Sequence, residues 1–280
     1  MAKGKKKPAQ AQARERARAA AKAEAERIKA AQAAKERRTR LLTLGGLAAV
    51  LVVVAIIVIA VLASQGGGDV AGVGSKPAGA RDNGAVRLGQ DLVPGSPAPD
   101  NRDVVTVAIY TDFMCPLCGT FERNYSAQLA EMSREGIIQI DMHTLAFLDG
   151  VANAEEYSTR SAKAAAAVAK YDPASYWAFQ GALFEDQPPE GQGTFTDEQI
   201  ADIARNAGVS EEAIAKLTDP ELDDWVSFAT EQAFKTGITG TPSIMMGKGD
   251  GEMQRFTAHR AIGFEQGVAN VLAGLPPDGE

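Results

Sequence analysis

Two cysteines, Cys115 and Cys118, are the only thiols among 280 residues, and they enclose Pro116 and Leu117. A disulfide scaffold needs several cysteines spread along the chain, and a four-cysteine zinc or iron-sulfur site needs more thiolates than one pair supplies. The chain must therefore fold around a hydrophobic core. The pair itself either reacts, binds something small or closes a short structural disulfide.

An uncharged apolar run of 23 residues, 41–63, is the second constraint. As a helix it is about 34 Å long, enough to cross the hydrocarbon core of a bilayer. The alternative is a cleaved signal peptide, since Val61-Leu62-Ala63 resembles a cleavage site. Signal peptides, however, have shorter apolar regions after a brief basic start, whereas 40 residues precede this run. The run predicts a transmembrane helix that contacts membrane lipid.

Charge is divided unevenly along the chain. Residues 1–40 hold 14 Lys and Arg against 4 Asp and Glu, whereas the remaining residues hold 15 against 32. Seven Lys and Arg lie within 20 residues before the apolar run and two within 20 residues after it. By the positive-inside rule, residues 1–40 are a basic cytoplasmic arm and the body is extracytoplasmic on a cell membrane. A role for the arm in nucleic-acid binding is not predicted, because a topogenic arm near anionic lipid explains the same charges.

The segment 64–100 is rich in Gly, Ala, Asp and Pro, which predicts a flexible extracytoplasmic linker. A short strand near residues 85–88 would interrupt it. The globular pattern extends over residues 101–275 and leaves a tail at 276–280.

A strand-helix-strand unit opens the globular part. Residues 104–110 form a β-branched run typical of a buried strand, and residues 137–147 alternate as a second strand. Between the two strands, apolar residues recur at helical spacing, namely Phe121, Tyr125, Leu129 and Met132. Gly136 follows them and is a typical helix end. A strand-helix-strand order predicts a parallel pair.

Residues 151–236 read as a helical insertion. Asp172-Pro173 and Asp219-Pro220 are typical helix openings, and Thr196 with Gln199 predicts a capping box. The predicted core stripes of the first and last insertion helices are Tyr176, Phe179 and Leu183, and Leu222, Trp225, Ala229 and Ala233. Strands near 243–246 and 254–257, joined by a glycine-rich turn, and a closing helix at 264–273 complete the pattern.

Cys115 falls where the first strand ends and the helix begins, so free backbone N–H groups and the helix dipole favour a thiolate there. Cys115 is the predicted nucleophile. Cys118, one helical turn later, is the predicted resolving thiol that attacks a mixed disulfide formed at Cys115. An inert structural disulfide and a zinc or copper site are the alternatives, although no His stands directly after Cys118 and the chain has no second cysteine pair.

The motif Asp112-Phe113-Met114-Cys115-Pro116-Leu117-Cys118 with Phe121-Glu122, and the later Gly240-Thr241-Pro242-Ser243, resemble bacterial DsbA-type proteins of the thioredoxin superfamily. The resemblance extends over roughly residues 85–275. It implies an α/β thioredoxin-like fold, with a mixed central sheet flanked by helices and a helical insertion. It further implies that Pro242 is cis and lies against the cysteines, and that Thr241-Pro242 clamps an extended substrate. Without the resemblance, Pro242 reads as a simple strand entry.

The sequence departs from the pattern of strongly oxidising members, which place a His where this chain has Leu117. Asp112 is a candidate for proton transfer at Cys118, the alternative being a plain turn or cap. His143 and His259 are expected to be structural. Met114, Met245 and Met246 are expected near the cysteines, either as a soft apolar groove for unfolded clients or, alternatively, as Cu(I) ligands.

These observations predict an extracytoplasmic thiol-disulfide oxidoreductase with catalytic Cys115 and Cys118 and with support from Pro116, Leu117, Thr241 and Pro242. It would donate disulfides to exported proteins with reduced cysteines and be recycled by a membrane redox partner. We predict neither a cofactor nor a resident metal. A reductase or isomerase using the same residues is one alternative, and a non-enzymatic copper-binding module is the other.

Overall fold

The computed structural model of the protein describes residues 73–100, 103–150, 154–185, 187–188 and 193–279. The predicted basic arm 1–40, the predicted membrane span 41–63 and residues 64–72 of the predicted linker lie outside these ranges. Within them, no helix combines the length and apolar composition that crossing a bilayer requires.

A five-stranded mixed sheet forms the centre of the described fold, with the strand order β1-β3-β2-β4-β5. The strands are β1 (Val86–Arg87), β2 (Val105–Thr111), β3 (Ile138–Thr144), β4 (Ser243–Lys248) and β5 (Gln254–Arg255). β2 and β3 are parallel, as the strand-helix-strand pattern predicts, whereas the other neighbouring strands are antiparallel. All seven residues of β2 and all seven of β3 are buried, so both faces of the central pair are covered.

The register of the sheet brings two distant segments together. Tyr110, next to the end of β2, is paired with Ser243, the first residue of β4. The chain that leaves β2 therefore lies beside the chain that enters β4. The Cys115 segment follows the first of these strands and Thr241-Pro242 precedes the second, so antiparallel pairing places both motifs at one edge of the sheet.

Helix α1 (Pro116–Arg134) begins directly after Cys115, which is its N-cap residue. Proline at the first helical position is pre-set for helix geometry and has no N–H to leave unpaired. The predicted stripe packs inward, since Phe121, Leu129 and Met132 are buried. Gly136 has a φ of 72°, the left-handed conformation that ends the helix as predicted.

The predicted insertion is helical. Its α-helices are α2 (Tyr157–Tyr171), α3 (Tyr176–Glu185), α4 (Asp197–Asn206), α5 (Glu211–Ile214) and α6 (Asp223–Lys235). Asp172-Pro173 and Asp219-Pro220 each open a short 3-10 helix that leads into α3 or α6. The capping box of Thr196 and Gln199 is confirmed at the start of α4. Both predicted core stripes are buried, and each large side chain contributes about 1.5–3 kcal/mol through removal from water.

The closing helix α7 spans His259–Leu272, but Gly263 has φ 78° and ψ 168° and interrupts it. The regular part therefore begins at Phe264, where the sequence pattern predicts the helix start. The first residues form a separate turn that carries His259.

Residues 73–100, the described part of the predicted flexible linker, pack against the sheet. Val86, Leu88 and Leu92 are buried, and β1 pairs with the outer edge of β3. The Arg87 guanidinium donates two hydrogen bonds, of 2.7 and 2.8 Å, to the buried Asp141 carboxylate. Because this segment contains few apolar residues, its composition alone indicates flexibility. These few apolar residues nonetheless cover the edge of the sheet, and Arg87 neutralises Asp141.

Candidate active site

The turn between β2 and α1 presents the first cysteine at the helix N-terminus. The backbone N–H of Cys115 donates to the carbonyl of Asp112 at 3.0 Å, and that of Met114 donates to the Asp112 carboxylate at 2.8 Å. The carbonyl of Cys115 accepts from the N–H groups of Cys118 and Gly119 in the first turn of α1. This geometry leaves the Cys115 side chain at the positive end of the helix dipole.

The four residues of the motif differ in exposure. Cys115 is 6% exposed and Cys118 is 1% exposed, and both are free thiols. Pro116 is exposed, and the Leu117 side chain, at 58%, is among the most exposed large apolar groups of the described residues. Cys115 therefore keeps a small accessible surface next to the exposed Pro116 and Leu117, whereas Cys118 has almost none.

The surroundings of Cys115 stabilise its thiolate. Its pKa is lowered to about 6, chiefly because the Cys118 thiol donates a hydrogen bond to it. The Thr241 side chain and the backbone N–H groups of Cys118 and Leu117 act in the same direction, and together they outweigh the opposing effect of burial. Near neutral pH, Cys115 is therefore mainly the nucleophilic thiolate.

Cys118 has the opposite protonation preference. Burial raises its pKa, and the neighbouring Cys115, as hydrogen-bond acceptor and as negative charge, raises it further. Thr111 and the backbone of Asp112 oppose this rise only in part. The two thiols thus divide into one anion and one proton donor, which is the arrangement needed for stepwise thiol-disulfide exchange.

Thr241 contacts Cys115 and is followed by Pro242. The Thr241–Pro242 peptide bond is cis, as the family resemblance implies. The Cys115 thiol contacts the carbonyl oxygen of Thr241 at a distance of 3.3 Å. The following Ser243 hydroxyl donates to the Gly240 carbonyl at 2.7 Å, which ties the loop to the start of β4.

Asp112 is fully buried, and its carboxylate accepts four hydrogen bonds. Their donors are the N–H groups of Met114, Phe147 and Leu148 and the Ser158 hydroxyl, at 2.7–3.0 Å. Burial nonetheless raises its pKa. These bonds join the cysteine turn to the segment after β3 and to α2. They favour the turn-anchoring alternative for this side chain over proton transfer at Cys118.

Gln187 is the site residue that sequence reasoning did not identify. Its side-chain amide donates to the carbonyl of Phe113 at 2.6 Å and to that of Cys115 at 2.9 Å. The only related signal in the sequence is Gly119, a glycine inside a helix directly after the motif. A Cβ atom at Gly119 would lie 2.3 Å from the Gln187 Oε1 atom, so glycine leaves room for this side chain.

Both histidines pack as structural residues. His143 is fully buried and stacks on Tyr110 with ring centroids 4.0 Å apart, and burial lowers its pKa to about 4. His259 packs edge-on against Phe121 and Tyr125. Burial lowers the pKa of this imidazole too.

The three methionines do not gather around the cysteines as one group. Met114 and Met246 belong to the core cluster that contains Cys115 and Cys118. Met245 packs against a different cluster, because consecutive strand residues face opposite sides of a sheet. Within the described part of the chain, no three His, Cys, Asp or Glu side chains come close enough to share a metal ion.

The sequence is similar to a known family and to proteins of two groups of bacteria. The family model described as thioredoxin matches residues 93–258, more than half of the chain. Serine/threonine-protein kinase PknE of Mycobacterium tuberculosis is 33% identical over 114 residues, which are 39% of this chain. The matched segment is only 20% of the length of that kinase. Disulfide bond formation protein D of Bacillus subtilis is 26% identical over 172 residues, 58% of this chain and 75% of that protein.

A solved structure supports the fold. Reduced DsbA from Mycobacterium tuberculosis superimposes with a TM-score of 0.53 at 24% identity, covering 69% of this chain and 95% of that chain. The helical insertion and the mixed sheet are therefore arranged as in a known fold.

Proposed function

The chain belongs to the thioredoxin family, and we propose that it is a thiol-disulfide oxidoreductase that donates a disulfide to other proteins. The observation that carries this proposal is the division of the cysteine pair into a stabilised Cys115 thiolate and a shielded Cys118 thiol. The name of the Bacillus subtilis relative, a disulfide bond formation protein, agrees with this direction.

The proposed cycle begins with a Cys115–Cys118 disulfide. A client thiolate attacks the Cys115 sulfur, a client–Cys115 bond forms, and the bond to Cys118 breaks. Cys118 leaves with the electron pair and takes up a proton. A second client thiolate then attacks the client sulfur of the mixed disulfide and releases Cys115 as a thiolate. The client gains one disulfide, and the two cysteines of the enzyme are reduced.

The stability of the reduced enzyme relative to the oxidised enzyme indicates the direction of electron flow. Each contact that lowers the pKa of Cys115 stabilises the reduced enzyme and makes its disulfide more oxidising. The helix N-terminus, the Cys118 thiol and Thr241 supply such contacts here. No imidazole occupies the position of Leu117, so we propose an oxidase of intermediate strength. Disulfide reduction or isomerisation at the same site is the alternative.

Clients are proposed to bind across the exposed edge of the motif. Leu117 offers an apolar surface, and the Thr241-Pro242 loop offers backbone groups beside the Cys115 sulfur. An extended, unfolded segment fits both features, because it can pair with the loop and place its cysteine at Cys115.

The proposed location is the outer side of a cell membrane. Residues 41–63 would anchor the chain, with residues 1–40 inside, and the clients would be exported proteins with reduced cysteines. Because each turnover leaves the pair reduced, a membrane redox partner must reoxidise it. The charge asymmetry around residues 41–63 and the redox chemistry of secreted proteins support this arrangement.

The reduction potential of the full-length protein, equilibrated with glutathione buffers in detergent, tests the direction. A value near about −180 mV, between the roughly −120 mV of a strong oxidant and the roughly −270 mV of thioredoxin, supports the proposed oxidase of intermediate strength. A value near about −270 mV, as in thioredoxin, would overturn it in favour of a reductase.

Trapping of clients tests the site. In Cys118→Ala, the Cys115 thiolate can attack a disulfide of an exported protein and release the second client sulfur as a thiolate. Without Cys118 to attack it, the resulting mixed disulfide at Cys115 should accumulate, whereas the matched double variant with Cys115→Ser should accumulate none. Tight copper binding without oxidation of a reduced unfolded protein would instead identify the non-enzymatic alternative.

A further inference from the structure

We infer that Gln187 is a positioning residue that sets the reactivity of Cys115 by clamping the turn on which this cysteine lies. One side-chain amide donates to both the Phe113 and the Cys115 carbonyl. It therefore joins Phe113, in the turn after β2, to Cys115, the N-cap residue of α1. The inference deepens the proposed function and rests on Cys115 being its nucleophile.

The clamp comes from the helical insertion, which also holds this turn in two other ways. The rings of Phe113 and Phe184 pack with centroids 4.8 Å apart. The Arg123 guanidinium, on α1, donates to the Phe184 carbonyl at 3.1 Å. Together with Gln187, these contacts tie the end of α3 to both sides of the cysteine turn.

The clamp acts on the sulfur through the backbone. The N–H groups of Leu117 and Cys118 stabilise the Cys115 thiolate, and their direction depends on the conformation of the first turn of α1. The Cys115 carbonyl, one of the acceptors of that turn, is also an acceptor for Gln187. A fixed carbonyl keeps the N–H groups aimed at the sulfur, whereas a released turn would redistribute them.

Gly119 leaves the space that the Gln187 side chain occupies. A Cβ atom there would meet the Gln187 Oε1 atom at 2.3 Å and the Arg123 Nη1 atom at 3.0 Å. Alanine would otherwise be favourable inside a helix. The helix therefore carries a glycine at the place where the glutamine side chain crosses it.

The experiment measures the Cys115 pKa in full-length reduced protein from the ultraviolet absorbance of the thiolate, with no client present. Gln187→Ala should raise this pKa. Gln187→Glu should raise it further, because a carboxylate of equal size cannot donate to two carbonyls and adds a negative charge. The equilibrium constant for oxidation of glutathione should fall roughly threefold to tenfold, since one pKa unit corresponds to a tenfold change.

Two further variants separate positioning from general destabilisation. Gln199→Ala removes a glutamine of the distant capping box and should lower stability while leaving the Cys115 pKa unchanged. Gly119→Ala should displace Gln187 and reproduce the shift of Gln187→Ala, and combining the two should add little more. A wild-type pKa in both Gln187 variants would overturn the inference. Because the measurement uses no client, it would still test the effect of Gln187 on the Cys115 pKa if the protein proved not to be an oxidase.

Discussion

The Sγ atom of Cys115 lies 3.3 Å from the carbonyl oxygen of Thr241, across 126 positions of sequence. The Thr241 side chain also contacts this sulfur and lowers the pKa of Cys115. The carbonyl suits the protonated thiol as an acceptor, whereas the hydroxyl suits the thiolate as a donor. One residue thus contacts both protonation states of the reacting atom.

Thr241→Val should raise the pKa of Cys115, because valine keeps the shape of threonine and its backbone carbonyl but removes the hydroxyl donor. The rate of alkylation of Cys115, measured from pH 4 to 9, should show its midpoint moved to higher pH. Thr239→Val, at an exposed position in the same loop, is the control and should leave the midpoint in place. An unchanged midpoint in Thr241→Val would show that the hydroxyl contributes nothing.

The stability of the reduced protein relative to the oxidised protein should depend on pH. Cys115 has a folded pKa of about 6, below the roughly 8.5 of an unfolded cysteine, so its contribution appears as pH rises from 6 to 8.5. Cys118 has a raised folded pKa, so its contribution is lost above the unfolded value. We expect a gain of about 2 kcal/mol that is largest near pH 8.

Urea unfolding of both redox forms at several pH values measures this difference. The oxidised form has no thiol at either position and serves as the internal control for all other titrating groups. A reduced form that is less stable than the oxidised form throughout this range would contradict an oxidising role.

Leu117→His should make the protein more oxidising. The residue at this position is exposed, and an imidazolium there would lie beside the thiolate that it stabilises. We expect the reduction potential to rise by about 30 mV, which corresponds to about 1.4 kcal/mol for a two-electron couple. Leu117→Gln, polar but uncharged, is the control. The difference between the two variants should disappear well above the pKa of the imidazole.

Asp112→Asn should lower the free energy of unfolding by about 1–3 kcal/mol, because an amide cannot accept all four hydrogen bonds of the buried carboxylate. The attack of Cys118 on a mixed disulfide should keep its rate. Asp149→Asn, which also removes a carboxylate that caps the start of α2, is the matched control. A slower attack in Asp112→Asn alone would instead support proton transfer by Asp112.

Local patterns in the sequence predict most of the elements that hold the site. Three of these patterns each occupy only a short stretch of chain, and each is present in the structure. They are the β-branched run before Asp112, the helical stripe through Phe121 and Leu129, and the Thr196–Gln199 capping box. Within residues 73–100, local patterns predict only the short strand near residues 85–88, which is present as β1, and not the packing of the other residues. Their order comes from docking onto β3 and Asp141, partners that lie far away in sequence.

The spacing of Cys115 and Cys118 and the helix signals around them are local properties of the chain, so the sequence predicts two thiols one helical turn apart at the start of a helix. The groups that surround these thiols come from distant parts of the chain and are seen only in the folded structure. The pairing of β2 with β4 brings Thr241 to Cys115, and the packing of α3 on α1 brings Gln187 to the same turn. Such contacts depend on strand register and helix packing, which cannot be predicted from any single short stretch of sequence.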